Sequence, residues 1–139
     1  MPAYGLKNVE IHGKLMPPSY RLIKLTRPLP FYACDEKYYV VPQGFISNGA
    51  SVPRAFWALI PPFGPYAAAC VVHDWLYTEL VLPRELCDRT FYELMLDCGV
   101  DRELARLMFE SCRAFGERAY HDMRMLKVME AENATYSVH

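Results

Sequence analysis

The chain has 139 residues, 53% of them hydrophobic and 14% aromatic, which suits one domain built around one core. Its 15 lysines and arginines stand against 16 aspartates and glutamates, a formal net charge of −1. No excess of positive charge is available to track a phosphate backbone, so nucleic acid is not an expected partner.

The start, MPAYGLKNVE, lacks the apolar core of a secretory signal. Residues 1–47 read as mainly β structure and loops. Short runs such as VEIHGKL, YRLIKL and KYYVVP are rich in Val, Ile and Tyr and are punctuated by Pro and Gly. Val9, Ile11 and Leu15 alternate along one strand face, Pro17–Pro18 and Pro28–Pro30 mark breaks, and Asp35-Glu36-Lys37 suits a hairpin turn before Tyr38–Val41. A small antiparallel sheet is expected.

Beyond Gly49 the apolar period changes from two to about 3.6, and residues 48–130 read as mainly helical. Ser51 and Pro53 suit an N-cap and first turn of a short helix to about Ile60. From Ala55 to Val72 no residue is charged, but Pro61, Pro62, Gly64 and Pro65 cut the stretch, so no membrane-spanning helix is expected. The next helices are expected over 66–80 and 84–97. Their short connection at Leu82-Pro83 makes them antiparallel neighbours.

Asp101 opens a last long helix with an apolar stripe of Leu104, Leu107, Met108, Cys112, Phe115 and Ala119, with Arg102, Arg106, Arg113 and Arg118 mostly outside it. Gly116 is its soft point. Residues 131–139 have no periodicity and are expected to be a flexible tail. The fold class is therefore α+β, a small N-terminal antiparallel sheet with three to four helices, in a single domain over 1–139.

The five cysteines, Cys34, Cys70, Cys87, Cys98 and Cys112, form no C-x-x-C pair and are odd in number. Most fall on apolar helix faces as small hydrophobes, which fits a reducing cytoplasm. A bridge from Cys70 or Cys87 to Cys98 is the alternative.

One helix departs from its apolar surroundings. YAAACVVHDWLY, residues 66–77, carries His73 and Asp74 side by side, and buried ionisable groups demand partners. Tyr77 stands within about 40° of His73 around the helix axis. Asp88, fifteen residues beyond His73, comes opposite it on an antiparallel partner helix. A carboxylate there would bond one imidazole nitrogen and stabilise the cation formed when the other takes a proton, a general base for attack by water. Asp74 then suits a hard divalent cation such as Ca2+, with Ser47-Asn48-Gly49-Ala50-Ser51 as the bent loop and Asn48 as a second ligand.

The segments Cys70-Val71-Val72-His73-Asp74-Trp75-Leu76-Tyr77 and Asp88-Arg89-Thr90-Phe91-Tyr92-Glu93, followed by Cys98, resemble the phospholipase A2 superfamily, most closely its short prokaryotic members. The resemblance implies His73 as the base, Asp74 as the calcium ligand, and Tyr77 and Asp88 as holders of the histidine network. The family's glycine- and cysteine-rich calcium loop is not recognisable here. A second resemblance covers more of the chain: Gly44-Phe45-Ile46-Ser47-Asn48-Gly49-Ala50-Ser51-Val52-Pro53-Arg54, then His73-Asp74-Trp75-Leu76-Tyr77, then Arg84 and Asp88, is similar to a family of small proteins found mainly in tailed bacteriophages and prophages. In that family the position of Asn48 is often an aspartate.

These resemblances imply a phage protein made in the host cytoplasm that hydrolyses a phospholipid or other carboxylic ester, with a membrane surface as partner. The alternatives are a non-catalytic virion component of tail or head, with virion proteins as partners, and a factor that binds a host protein. A plain buried network that fixes helix register competes with chemistry for His73, Asp74 and Asp88. Phe56, Trp57, Leu59, Ile60 and Phe63 read as core, or as an apolar rim if exposed. His12 and His121 have no companions at ligand spacing. Oligomeric state is left open by the sequence.

Overall fold

A computed structural model describes residues 13–16, 22–47 and 67–136. Val9, Ile11, His12, Asn48, the expected helix to Ile60, the apolar group from Phe56 to Phe63 and the last residues 137–139 lie outside the described residues.

The described chain is α+β. Five short strands come first: β1 (Gly13–Met16), β2 (Leu22–Leu25), β3 (Leu29–Tyr32), β4 (Tyr38–Val41) and β5 (Ile46–Ser47). Four helices follow: α1 (Ala67–Glu79), α2 (Arg84–Asp97), α3 (Arg102–Phe115) and α4 (Glu117–Tyr136).

The strands form two antiparallel sheets rather than the one expected: β1-β2-β5, and a separate β3-β4 hairpin. The hairpin turns where the sequence places it. The Glu36 amide donates to the Ala33 carbonyl, the Lys37 amide to Asp35 Oδ1, and Glu36 takes φ 66°, the left-handed residue that closes a three-residue loop. Alternation along this hairpin buries Leu29, Phe31 and Ala33, and the edge of Trp75 in α1 meets the Phe31 ring at 6.0 Å. β5 joins the sheet through Ile23↔Ser47 and Lys24↔Ile46, which brings Ser47 to α1.

α1 is buried around most of its circumference, from Ala67 to His73 and again at Trp75, Leu76 and Tyr77, and this is why its sequence is apolar almost throughout. α2 turns Cys87, Asp88, Phe91, Leu94 and Met95 inward at helical spacing. The pair is antiparallel: the Cys98 thiol meets the Ala69 backbone at one end and Asp88 meets His73 at the other. α2 stops at a Schellman motif, with Gly99 at φ 85° donating to the Leu96 carbonyl and Val100 to that of Met95. Glycine is needed there because a side chain would strain the left-handed position. Asp101 caps α3 by accepting from the Glu103 amide at 3.2 Å.

The expected last helix is two helices. Gly116 separates α3 from α4, and α4 continues through Tyr136, past the point where lost periodicity placed a tail. The alanines and glutamates of 130–134 favour a helix by backbone propensity alone. The stripe on α3 is also narrower than its spacing implies: Ala105, Met108 and Cys112 are buried, whereas Leu107 and Phe115 are exposed, Phe115 at 78%. α3 packs principally against α2, so only one side of its stripe is covered. None of the five cysteines is in a disulfide, and the bridge from Cys70 or Cys87 to Cys98 does not form. Among the described residues, no helix is long and apolar enough to cross a membrane.

Candidate functional site

Asp88 is fully enclosed, 0% exposed, and both of its carboxylate oxygens are occupied. Oδ1 lies 2.7 Å from His73 Nε2 and accepts the Tyr77 phenol at 2.6 Å. Oδ2 accepts from the Arg113 guanidinium at 2.9 Å and pairs with that of Arg84 at 3.5 Å. His73 and Tyr77 stand on α1 one turn apart, Asp88 and Arg84 on α2 one turn apart, and Arg113 reaches in from α3. Helix periodicity on three elements therefore converges on one side chain.

Two aromatic rings fix the imidazole. Phe91 lies 4.5 Å from it and Tyr77 4.4 Å, centroid to centroid. Tyr77 is braced by Tyr120 of α4 at 5.3 Å, and the Tyr120 hydroxyl donates to the Leu82 carbonyl at 2.9 Å. Arg84 spends its fork largely on the end of α3, donating to the carbonyls of Cys112 at 3.0 Å and Arg113 at 3.3 Å. Those carbonyls belong to the last turn of α3, where the Cys112 oxygen also accepts the Gly116 amide at 2.8 Å.

Burial pushes the Asp88 carboxyl upward, but hydrogen bonds from His73, Tyr77 and Arg113 outweigh it and hold the group below its ordinary value. Burial, and then the charge of Asp88, push the Tyr77 phenol far up, so it remains a donor. Since an ionised carboxylate only accepts, the ring proton of His73 belongs on Nε2, which makes Nδ1 the basic nitrogen.

Asp74, the next residue to His73, points elsewhere. It is half-buried, and its Oδ2 accepts the Ser47 hydroxyl from β5. The structure thus brings together His73, Tyr77 and Asp88 as the sequence proposes, and sets Asp74 in a separate contact. Asn48 lies outside the described residues. Two members were not anticipated as such. Arg113 reads as a surface residue outside the α3 stripe, and for Arg84 the signal that could have found the pair is its place four residues before Asp88 on one helix.

Donor atoms of His73, Asp88 and Cys112 all lie within 4.8 Å of one another, the one group of metal-ligand type among the described residues. It does not suit a cation. Two guanidiniums already face Asp88, and burial first, then the charges of Asp88 and Asp74, push the Cys112 thiol up to about 12. The oxygens of Asp74 and Ser47 are the hard donors that calcium prefers, so the donor chemistry around Asp74 is the better fit.

The molecule is an α+β domain whose helices enclose a histidine-aspartate network. It belongs to the family described as "Protein of unknown function (DUF1353)", whose model matches residues 23–112. The match contains His73, Asp74, Tyr77, Arg84 and Asp88 and ends one residue before Arg113. The chain is 35% identical over 78 residues to the uncharacterised protein y4iH of Sinorhizobium fredii (strain NBRC 101917 / NGR234), covering 52% of this chain and 31% of that protein. It is 31% identical over 97 residues to the uncharacterised protein y4jT of the same organism, covering 68% of this chain and 29% of that one. The aligned segments thus span about three-tenths of the length of each relative. No solved structure matches the chain.

Proposed function

We propose that this is a phospholipase A2-like hydrolase of a phospholipid or other carboxylic ester, encoded by a tailed bacteriophage or prophage. The observation that carries the reading is the contact between His73 Nε2 and Oδ1 of a fully buried carboxylate, with Tyr77 on the same oxygen, across two antiparallel helices. In this reading Nδ1 takes a proton from water as the water attacks the ester carbonyl. Asp88 stabilises the imidazolium, and the proton then passes to the departing alkoxide. Asp74 and Asn48 would hold Ca2+, which when bound supplies polarisation of the carbonyl. The phage origin rests on the resemblance of residues 44–91 to the family with the G-F-x-S-N-G-A-S-V-P and H-D-W-L-Y motifs.

Release of fatty acid from phospholipid vesicles in the presence of calcium tests the reading. Activity that disappears in His73→Ala while circular dichroism keeps the native helix signal supports it. Equal inactivity of the native and substituted chains, across anionic and zwitterionic vesicles, sinks it. Asp74→Asn is expected to abolish the calcium dependence.

A second reading is favoured by burial. His73 is 3% exposed and Asp88 0%, and every oxygen of the carboxylate is bonded within the fold, as in a network that serves only to lock helices. We propose this as the alternative: a virion component of tail or head that keeps the helix pair as architecture. Stoichiometric copies of the chain in purified particles, together with the vesicle result, separate the two.

A further inference from the structure

We propose that Arg113 is a positioning residue for the His73–Asp88 pair: by holding Oδ2 from α3, it presents Oδ1 to the imidazole and fixes the tautomer that makes Nδ1 the ring's proton acceptor. This role deepens the proposed hydrolase and rests on the reading of His73 as a base.

The two oxygens of Asp88 are divided by direction. His73 and Tyr77, both on α1, share Oδ1, and the two arginines share Oδ2. The terminal torsion of an aspartate is broad and has no steep staggered minimum of its own, so its orientation must come from its partners. Of the two cations, Arg84 is the weaker partner. Its nitrogens are committed to the carbonyls of Cys112 and Arg113, and it lies 3.5 Å from Oδ2, against 2.9 Å for Arg113. Arg113 therefore sets which way the carboxylate faces.

The charge arrangement points the same way. Around the imidazole and its carboxylate stand Tyr77 from α1, Asp88 and Arg84 from α2, and Arg113 and Cys112 from α3, with Asp74 the next residue along α1. Ser47 of β5 bonds Asp74, and Tyr120 of α4 meets Tyr77. Asp88 alone beside His73 would make a pair of net charge −1 whose carboxylate could turn or take up a proton. With Arg113 bonded to Oδ2 the carboxylate stays ionised, and an ionised carboxylate requires the proton to sit on Nε2. Arg113 is a third exposed, 34%, so its contribution is partly screened by water, but its donor reaches an oxygen that water does not.

Nitrogen-15 resonances of the His73 ring, read by long-range proton correlation in the intact folded chain, test this. The unsubstituted protein is expected to show two well-separated nitrogen signals, with a proton on Nε2 where it meets Asp88. In Arg113→Gln the two nitrogens are expected to move toward each other as the tautomers mix. A folded Arg113→Gln chain with the native ring signals overturns the proposal. If that variant does not fold, Arg113→Lys carries the test. It keeps the charge without the planar fork and is expected to show the same change at smaller amplitude. Ring signals in Arg113→Lys identical to those of the unsubstituted chain then overturn the role. The readout uses no substrate. Absent lipolysis with the expected ring signals would sink the hydrolase and leave Arg113 in place, and active hydrolysis with unmoved signals would do the reverse.

Discussion

Tyr77 and Arg113 grip opposite oxygens of one carboxylate, the phenol on Oδ1 at 2.6 Å and the guanidinium on Oδ2 at 2.9 Å, so that Asp88 is clamped between α1 and α3. Tyr77→Phe keeps the ring that packs on His73 and removes only the donor. It is expected to cost about 2 kcal/mol, the usual loss for a buried hydrogen bond to a charged group. Urea unfolding followed by circular dichroism measures it, and an unchanged midpoint would mean the phenol contributes nothing to the network.

Replacing the acceptor is expected to cost more. Asp88→Asn leaves two guanidiniums facing a neutral amide, and removing one partner of a buried ion pair costs about 3–5 kcal/mol. Partial exposure of both arginines places the value toward the lower end of that range. A loss as small as that for a surface substitution, read from the same urea curves, would contradict the enclosure of this carboxylate.

The same group predicts a pH dependence. Burial raises the Asp88 carboxyl, the bonds from His73, Tyr77 and Arg113 together lower it by more, and the net shift is downward. A carboxyl lowered on folding stabilises the native state above its unfolded value of about 3.9 and loses that stabilisation as pH falls through the folded value. Thermal midpoints between neutral pH and about pH 3 are therefore expected to fall for the native chain. The Asp88→Asn chain should show a flatter profile over that window. Parallel profiles would assign the acid sensitivity to other carboxylates.

Gly116 offers a test of packing at the helix break. Its φ is −80°, which any residue adopts, and exchange for alanine would by propensity alone gain up to about 1 kcal/mol in a helical position. Space decides the sign instead. A Cβ there would stand 2.6 Å from the Cys112 carbonyl oxygen and 2.8 Å from the Tyr77 hydroxyl. Gly116→Ala is expected to destabilise by about 1–3 kcal/mol, the range for overpacking, and to displace the phenol from Asp88. Thermal unfolding of this variant and of the double variant with Tyr77→Phe measures it; purely additive losses would show that Tyr77 is not what the methyl meets.

The thiols should be quiet. Burial pushes Cys87 and Cys112 up to about 12 and Cys70 well above its ordinary value, so almost no thiolate exists near pH 8. Labelling with an aromatic disulfide reagent is expected to leave these three unmodified until the chain unfolds. Prompt native-state labelling of Cys112 would mean that the end of α3 opens readily.

Much of this arrangement could be read from residue spacing, and the reasons differ by element. The fifteen-residue interval from His73 to Asp88 suffices because a short connection forces two helices antiparallel, and the bounds of α2 follow from Pro83 and Gly99. Arg113 was not legible. Periodicity assigns a charged residue beside an apolar stripe to solvent, and only the placement of α3 against α2 turns it inward. Leu107 and Phe115 fail for the converse reason, since a stripe marks what can be covered and a neighbour decides what is. The contact of Ser47 with Asp74 was not legible either: the return of β5 along β2 delivers a hydroxyl to that carboxylate, a pairing between distant segments that no local pattern contains.

The enclosure of one carboxylate by side chains from three helices has a consequence for how the domain breathes. None of α1, α2 or α3 can swing away without stranding an ionised group, so their amides near the network should exchange with solvent through a shared, concerted opening. Among the described residues α4 gives no side chain to that carboxylate, and its turns beyond Lys127, which pairs with Glu79 at the end of α1, should exchange on their own faster clock.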